Sequence, residues 1–342
     1  MTLGVRQSRH RDGVAQLLFV STTHPMWFVV FRFLEGVGVA AVSPAALAFV
    51  ADLSTEKDRS RAYGWMTSAQ FGGLVAGPVI SWPLYTLGGG SGLWAFYAIF
   101  LFGSALSFLT TIAVFFVVRE PRKAHGREAV RVKHPPYRKL VTKPILAFLI
   151  VAATGHLAMG FFEVLWSLYL HNLGASLHFI SLTFTAFSVP MLLSFFGGYL
   201  ADRYSRFALW VSGSTVAAFA WIYYGVTDNL TIFLVVSIIE GLAFAWSSPA
   251  RQAFLVLVAP RRWLGSVQGL EQTSMQVAAM IGTLVAPVLY EYISGTVISI
   301  GGVVSLIGLA VAARILYPVW KRLKAGEEVA DQRVEEAVEI LR

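Results

Sequence analysis

The chain has 342 residues, of which 56% are hydrophobic and only 13% are charged, and its mean hydropathy is +0.65. A composition this apolar leaves too little polar surface for a soluble domain of this length and is typical of a chain that spans a membrane. The sequence has no cysteine, which excludes disulfides, iron–sulfur clusters and thiol chemistry.

Apolar runs long enough to cross a hydrocarbon core of roughly 30 Å follow one another along the chain. They predict an all-α polytopic membrane bundle whose nine complete spans lie at 27–51, 62–86, 93–118, 144–170, 179–200, 207–226, 230–257, 264–290 and 296–318. A further apolar fragment at 13–23 is too short to cross alone. The predicted domains are an incomplete N-terminal half at 1–118, a basic linker at 119–143, a C-terminal half of six helices at 144–318 and a tail at 319–342.

The net charge of +8 comes from basic residues on alternate connections between spans. Lys and Arg crowd into connections such as 57–61, 119–143 and 203–206, whereas the connections on the other side carry none. By the positive-inside rule, both termini and the basic linker face the cytoplasm. The charge therefore reflects topology and contact with membrane lipid, not nucleic-acid binding. The linker either attracts anionic lipids or is simply a solvated connection.

The pattern in residues 28–85 recurs 205 residues later. Glu35-Gly36 corresponds to Glu240-Gly241, and Ser43-Pro44-Ala45 corresponds to Ser248-Pro249-Ala250. An internal repeat of paired membrane helices indicates a transporter built from two related halves with pseudo-symmetry.

Three motifs resemble the major facilitator superfamily of secondary transporters. Arg32–Gly38 is similar to its fourth-helix motif R-x-x-x-G-x-G, and Gly73–Pro78 is similar to the fifth-helix motif G-x-x-x-G-P that is associated with antiporters. Gly198–Arg206 is similar to the cytoplasmic loop motif G-x-L-A-D-R-x-G-R. The resemblance implies two six-helix halves, and the offset of the repeat places the beginning of the first half upstream of Met1. We therefore expect helices one and two to be absent, through a late start of the gene model or a natural truncation.

Ionisable side chains inside spans are costly, so they usually pair or line a cavity. The candidates for substrate binding or proton coupling are Arg32, Glu35, Glu163, Glu240, Gln268 and Gln272. The resemblance links the fourth-helix arginine, Arg32, to substrate or proton coupling and places the three carboxylates on cavity-lining helices. Arg32 and Glu35 could equally form a local ion pair. Glu240 has Ser237 where the first repeat has Arg32, so of Glu35 and Glu240 it is the one expected to titrate.

Other residues are expected to hold or gate the bundle. Asp202, Arg203 and Arg206 resemble a cytoplasmic gate, in which Asp202 can also interact with the N-terminal end of a neighbouring helix. Arg251 and Glu271 are expected to pair, with a structural or a substrate role. The glutamine stripe that includes Gln268 and Gln272 forms a cavity wall or a helix contact. The motif residues Gly73, Gly77 and Pro78 are interpreted as sites of helix packing and bending.

Enzyme motifs are absent from the sequence, which has no Walker loop, no HExxH and no G-x-S-x-G. Its seven histidines show no ligand spacing, so no metal or cofactor is expected. The predicted function is alternating-access transport, with proton-coupled efflux of a small organic or drug-like molecule as the first hypothesis. An importer of a sugar or organic acid, or a truncated product without transport activity, are the alternatives. We expect a monomer in a prokaryotic cell membrane.

Overall fold

The computed structural model describes residues 24–89, 93–117, 140–260 and 263–325. The predicted fragment at 13–23, most of the basic linker and the end of the tail lie outside these residues. Within the described ranges the chain forms ten α-helices: α1 Pro25–Leu53, α2 Arg59–Leu87, α3 Leu93–Val117, α4 Lys143–Asn172, α5 Leu177–Met191, α6 Ser194–Arg203, α7 Arg206–Tyr224, α8 Leu230–Val258, α9 Leu264–Ile293 and α10 Thr296–Lys324.

Eight segments of the described chain are long and apolar enough to cross a membrane. They coincide with eight of the nine predicted spans and confirm an all-α polytopic bundle. The ninth, at 62–86, lies within α2, which has 29 residues and so a length of about 43 Å. Its composition is less apolar, because the helix begins with Arg59 and Arg61 and is rich in Gly and Ser.

The span predicted at 179–200 is interrupted. Helix α5 ends at Met191, and α6 begins at Ser194. Pro190 lies in the last turn of α5, directly before the interruption. Tight turns follow, in which Leu192 N donates to Val189 O at 3.1 Å and Leu193 N donates to Pro190 O at 3.0 Å. The segment from His178 to Arg203 still forms one membrane span.

The chain divides into two compact units. One comprises Met1–Leu53 and Gly73–Val132, and the other comprises Ser54–Gly72 and Lys133–Arg342. The boundary lies inside α2, so that the N-terminal half of this helix belongs to the second unit. The predicted division at the 119–143 linker stays a prediction.

Two groups of helices form the C-terminal part of the second unit. Helix α4 packs against α9 and α10, and α8 packs against α5, α6 and α7, while α7 also contacts α10. Small residues permit close approach in membranes. At the α4–α9 contact, a side chain at Gly160 would collide with the backbone of Ala279 and Gly282.

A buried aromatic cluster joins α4, α7 and α8. Trp166 meets Tyr224 edge-on with ring centroids 4.8 Å apart, and Tyr224 stacks on Phe233 at 5.4 Å. The indole of Trp166 also donates to the hydroxyl of Thr183 at 2.9 Å. These contacts fix the position of Tyr224, whose hydroxyl belongs to the first candidate site.

Candidate functional site

Glu240 lies in the middle of α8 and is only 3% exposed. Its carboxylate accepts a hydrogen bond from Trp221 Nε1 at 2.5 Å and another from the hydroxyl of Tyr224 at 2.9 Å. Both donors lie on α7, three residues apart on one helical face. Among the described residues no Lys, Arg or His pairs with Glu240. The site is a buried carboxyl held by two neutral donors.

Ser237 extends this network by one hydroxyl. Its Oγ lies 3.1 Å from the hydroxyl of Tyr224. Because Tyr224 donates to Glu240, its oxygen is free to accept from Ser237. Ser237 is the repeat counterpart of Arg32, so the second repeat has a hydroxyl in the network where the first has a cation.

The structure encloses the carboxylate of Glu240 between α7 and α8. The position of its helix beside a transport cavity, which the resemblance implied, stays a prediction. The sequence does not indicate Trp221 or Tyr224 as partners. The one available signal is that two aromatic residues with polar tips share a face of α7.

Arg251 of α8 and Glu271 of α9 form the ion pair that their matching depth predicted. Glu271 is nearly fully buried, and its side chain is 4% exposed against 18% for Arg251. His156 of α4 is half-buried near this pair and is influenced electrostatically by Arg251. Its Nδ1 lies 3.1 Å from Ala152 O. The functional role of the pair stays a prediction.

Gln268 lies one turn before Glu271 on α9 and is 1% exposed. Its amide nitrogen donates to the hydroxyl of Tyr63 in α2 at 3.3 Å, while its Oε1 has no hydrogen-bond partner among the described residues. Gln272 is half-buried, and the next member of the stripe, Gln276, is exposed. Exposure of the glutamine side chains therefore increases along α9 from Gln268 to Gln276.

The remaining coupling candidates are less enclosed. Arg32 is exposed on α1, and the side chain of Glu35 is not among those that the structure describes. Glu163 is exposed on α4, and it forms no hydrogen bond or ion pair within the described parts of the chain. Their proposed roles stay predictions.

Asp202, at the end of α6, caps the N-terminus of α2. Its Oδ1 accepts from Ser60 N and its Oδ2 accepts from Arg61 N, both at 2.9 Å. A helix N-terminus carries unsatisfied amides and a partial positive charge, so a carboxylate here is strongly favoured. This is the interaction with a neighbouring helix end that the loop motif predicted.

Arg206 completes this contact from the first turn of α7. Its Nη2 forms an ion pair with Asp202 at 3.1 Å, and its Nε donates to Ser60 Oγ at 2.9 Å. The same guanidinium donates to the carbonyl of Glu56 in the connection before α2. In that connection Thr55 donates to Asp58 and holds the pKa of this carboxyl below its usual value.

Arg203 does not take part in the charge cluster. It is exposed and lies over the ring of Tyr199, 4.5 Å from the centroid, with no ion pair in the described structure. Asp202 faces α2, whereas Arg203 lies outside this contact. The part of Arg203 in the gate stays a prediction.

Among the described residues, helices approach each other closely at Gly64 and Gly198. A Cβ at Gly73 or Gly77 would meet no described atom within 4 Å, and the side chain of Pro78 is not described. By contrast, a Cβ at Gly198 would overlap the backbone of Ser60 and Arg61, and one at Gly64 would overlap the carbonyl of Ser194. The packing role assigned to Gly73, Gly77 and Pro78 stays a prediction.

A sequence profile described as Major Facilitator Superfamily matches residues 13–169 and 148–341, which is nearly the whole chain. The chain belongs to this superfamily. Among its relatives, "Multidrug resistance protein 2" of Bacillus subtilis (strain 168) is 26% identical over 91% of this chain and 77% of that protein. "Tetracycline resistance protein, class B" of Escherichia coli is 25% identical over 80% of this chain and 68% of that protein. "Quinolone resistance protein NorA" of Staphylococcus aureus (strain MSSA476) is 23% identical, with coverages of 82% and 71%.

A solved structure shares the fold. It is that of a bacterial homologue of the iron transporter ferroportin in an outward-facing state, with a TM-score of 0.68 and 15% sequence identity. The match covers 93% of this chain and 82% of that one. The chain is therefore a multi-pass integral membrane transporter of the Major Facilitator Superfamily, a class that carries small molecules and is not enzymatic. Within the described residues, no group of three or more His, Asp or Glu side chains is placed to hold a metal ion.

Proposed function

We propose that this Major Facilitator Superfamily protein is a proton-coupled exporter of small, drug-like organic molecules. Relatives named for resistance to multiple drugs, tetracycline and quinolones support export as the direction. The likeness of Gly73–Pro78 to an antiporter motif supports exchange against an ion. Transport proceeds by alternating access of a site near the middle of the bilayer.

The buried carboxyl of Glu240 is the observation that carries proton coupling. Burial without a cation opposes its ionised form, whereas the donors Trp221 and Tyr224 stabilise that form. A buried carboxyl with two neutral donors and no cationic partner among the described residues is the group that we propose to carry the proton. A group of this kind can take up a proton in one state of the transporter and release it in the other.

The Asp202–Arg206 cluster is the proposed gate. It ties the end of α6 and the start of α7 to the N-terminus of α2 through two backbone amides and one hydroxyl. The distribution of Lys and Arg supports a cytoplasmic position for this cluster and for both termini. The bacterial origin of the relatives supports a prokaryotic cell membrane. The transporter acts as a monomer, and opening toward the cytoplasm breaks these contacts.

Inverted membrane vesicles test the proposal. With an acidic interior, the wild-type protein should accumulate tetracycline or a fluoroquinolone in the lumen, and collapse of the pH gradient should abolish this uptake. Glu240→Gln keeps the shape of the network but removes its exchangeable proton, so uptake should no longer respond to the gradient. Glu291→Gln, which changes an exposed carboxyl at the end of α9, is the matched control and should behave as wild type. Uptake by the wild-type protein that ignores the gradient would overturn proton coupling.

A further inference from the structure

We propose that Arg251 forms a subsite for an anionic oxygen group, such as a carboxylate, on the transported molecule, and that Glu271 occupies this subsite when it is empty. The inference rests on the proposed export function and specifies the chemistry of the substrate. It assigns a ligand to a polar cluster on α4, α8 and α9 that proton coupling at Glu240 does not use.

Arg251 has unused hydrogen-bonding capacity. Its Nη1 donates to Glu271, whereas its Nε and Nη2 donate to no residue in the described structure. The arginine side chain is 18% exposed, although its partner is almost completely enclosed. A planar guanidinium presents paired donors that match the two oxygens of a carboxylate. The unused donors of Arg251 can therefore bind a carboxylate of the ligand while Glu271 stays in place. Alternatively, the ligand can displace the carboxylate of Glu271.

His156, which the charge of Arg251 influences, and Gln268, one turn before Glu271, add hydrogen-bond acceptors to this polar cluster. The Nδ1 of His156 donates to Ala152 O at 3.1 Å, so Nε2 of the neutral ring is an acceptor, and it has no hydrogen bond among the described residues. Gln268 is 1% exposed, and its Oε1 is a buried acceptor without a donor in the described structure. An unsatisfied buried acceptor costs about 1–3 kcal/mol, so a hydroxyl or amide on a ligand would be favoured there.

The repeat argues against a purely structural ion pair. The counterparts of Arg251 and Glu271 in the first copy are Ala46 and Met66, both apolar. The first copy of the repeat therefore has the same helix pattern without an ion pair at these positions. A buried ion pair is often no more stabilising than apolar residues of similar size. The charges in the second copy thus mark a place where binding, not folding, distinguishes the two halves.

Direct binding tests the subsite independently of transport. Rhodamine B carries a carboxylate, and its ethyl ester has the same ring system without that charge. Both dyes are titrated against purified protein in phosphatidylcholine nanodiscs, with fluorescence polarisation as the measurement. Arg251→Gln should weaken rhodamine B binding by about tenfold, the loss of one charge-assisted contact, and leave the ester almost unchanged.

Glu271→Gln gives the sharper result, because it removes the internal competitor for Arg251. It should strengthen rhodamine B binding by about tenfold, whereas a purely structural pair predicts weaker binding of both dyes. Arg314→Gln is the matched control, since Arg314 is another arginine in a span but is exposed on α10. This control should alter neither affinity.

If Arg251→Gln does not fold, the double variant Arg251→Gln/Glu271→Gln keeps a neutral amide pair and should lose only the preference for rhodamine B. Equal affinity of the wild-type protein for the two dyes, or equal losses for both in each variant, would overturn the subsite. Uptake into inverted membrane vesicles tests export independently of the subsite. Gradient-driven uptake of the ester with no carboxylate preference leaves export standing and rejects the subsite. A carboxylate preference without gradient-driven uptake rejects export alone.

Discussion

Tyr63 and Gln268 occupy the same position in the two copies of the repeat and are hydrogen-bonded to each other. They lie 205 residues apart, which is the offset of the repeat, and the amide of Gln268 donates to the tyrosine hydroxyl at 3.3 Å. Each side chain is only 1% exposed. A contact between equivalent positions is expected near a pseudo-two-fold axis, because rotation about that axis exchanges the two residues.

We predict that the Tyr63–Gln268 contact is energetically coupled. Tyr63→Phe and Gln268→Leu should each lower the free energy of unfolding by about 1–3 kcal/mol, because each leaves a buried polar group without this partner. The double variant should be less destabilised than the sum of the two, since it removes both polar groups. Thermal unfolding in detergent measures all three. Strict additivity would show that the bond contributes nothing.

Loss of the cap on α2 should affect both stability and transport. Asp202→Ala leaves the amides of Ser60 and Arg61 without their acceptor and should destabilise the protein by about 1–2 kcal/mol. Arg203→Gln is the neighbouring control and should have little effect, because Arg203 only lies over Tyr199. Since the chain has no cysteine, a single cysteine placed near Ser60 can report accessibility by thiol labelling. Faster labelling in Asp202→Ala than in Arg203→Gln is expected, and equal rates in the two would contradict the gate.

Glycine substitutions should separate packed from open sites. Gly198→Ala places a methyl group against the backbone of Ser60 and Arg61, which cannot move as a side chain can. We expect Gly198→Ala to lower the free energy of unfolding by about 1–3 kcal/mol and to reduce the rate of transport. Gly73→Ala and Gly77→Ala meet no described atom and should be tolerated, and helix propensity makes them slightly stabilising. A severe defect at Gly77 with a mild one at Gly198 would reverse this order.

The donors to Glu240 should matter unequally. Trp221→Phe removes a direct hydrogen bond to the buried carboxylate and should lower the free energy of unfolding by about 1–3 kcal/mol. Ser237→Ala removes a hydroxyl that reaches Glu240 only through Tyr224, so its effect should be smaller. Differential scanning calorimetry of the purified variants measures which substitution destabilises the protein more. A larger effect for Ser237→Ala would mean that the network is centred on Tyr224 and not on the carboxylate.

Much of the fold was predictable from the sequence, because the patterns that indicate it lie within single helices or occur in both copies of the repeat. Apolar length predicted the helices, and the loop motif predicted that Asp202 interacts with a helix end. Matching depth on adjacent spans was sufficient to pair Arg251 with Glu271. The direction of Glu240 was not predictable, because a carboxyl in a span faces whichever helix packs beside it, and the identity of that helix depends on tertiary packing. The contact of Arg203 with the ring of Tyr199 has the same cause.

The cap on α2 also constrains how the protein is made. Ser60 and the carboxylate that accepts from its amide are separated by 142 residues. Since a ribosome adds only about 5–20 residues each second, α2 enters the membrane several seconds before its cap exists. Until then, water or lipid headgroups must satisfy those amides. The end of α2 can therefore reach its final position only after α6 has been inserted, which makes this junction a late step in biogenesis.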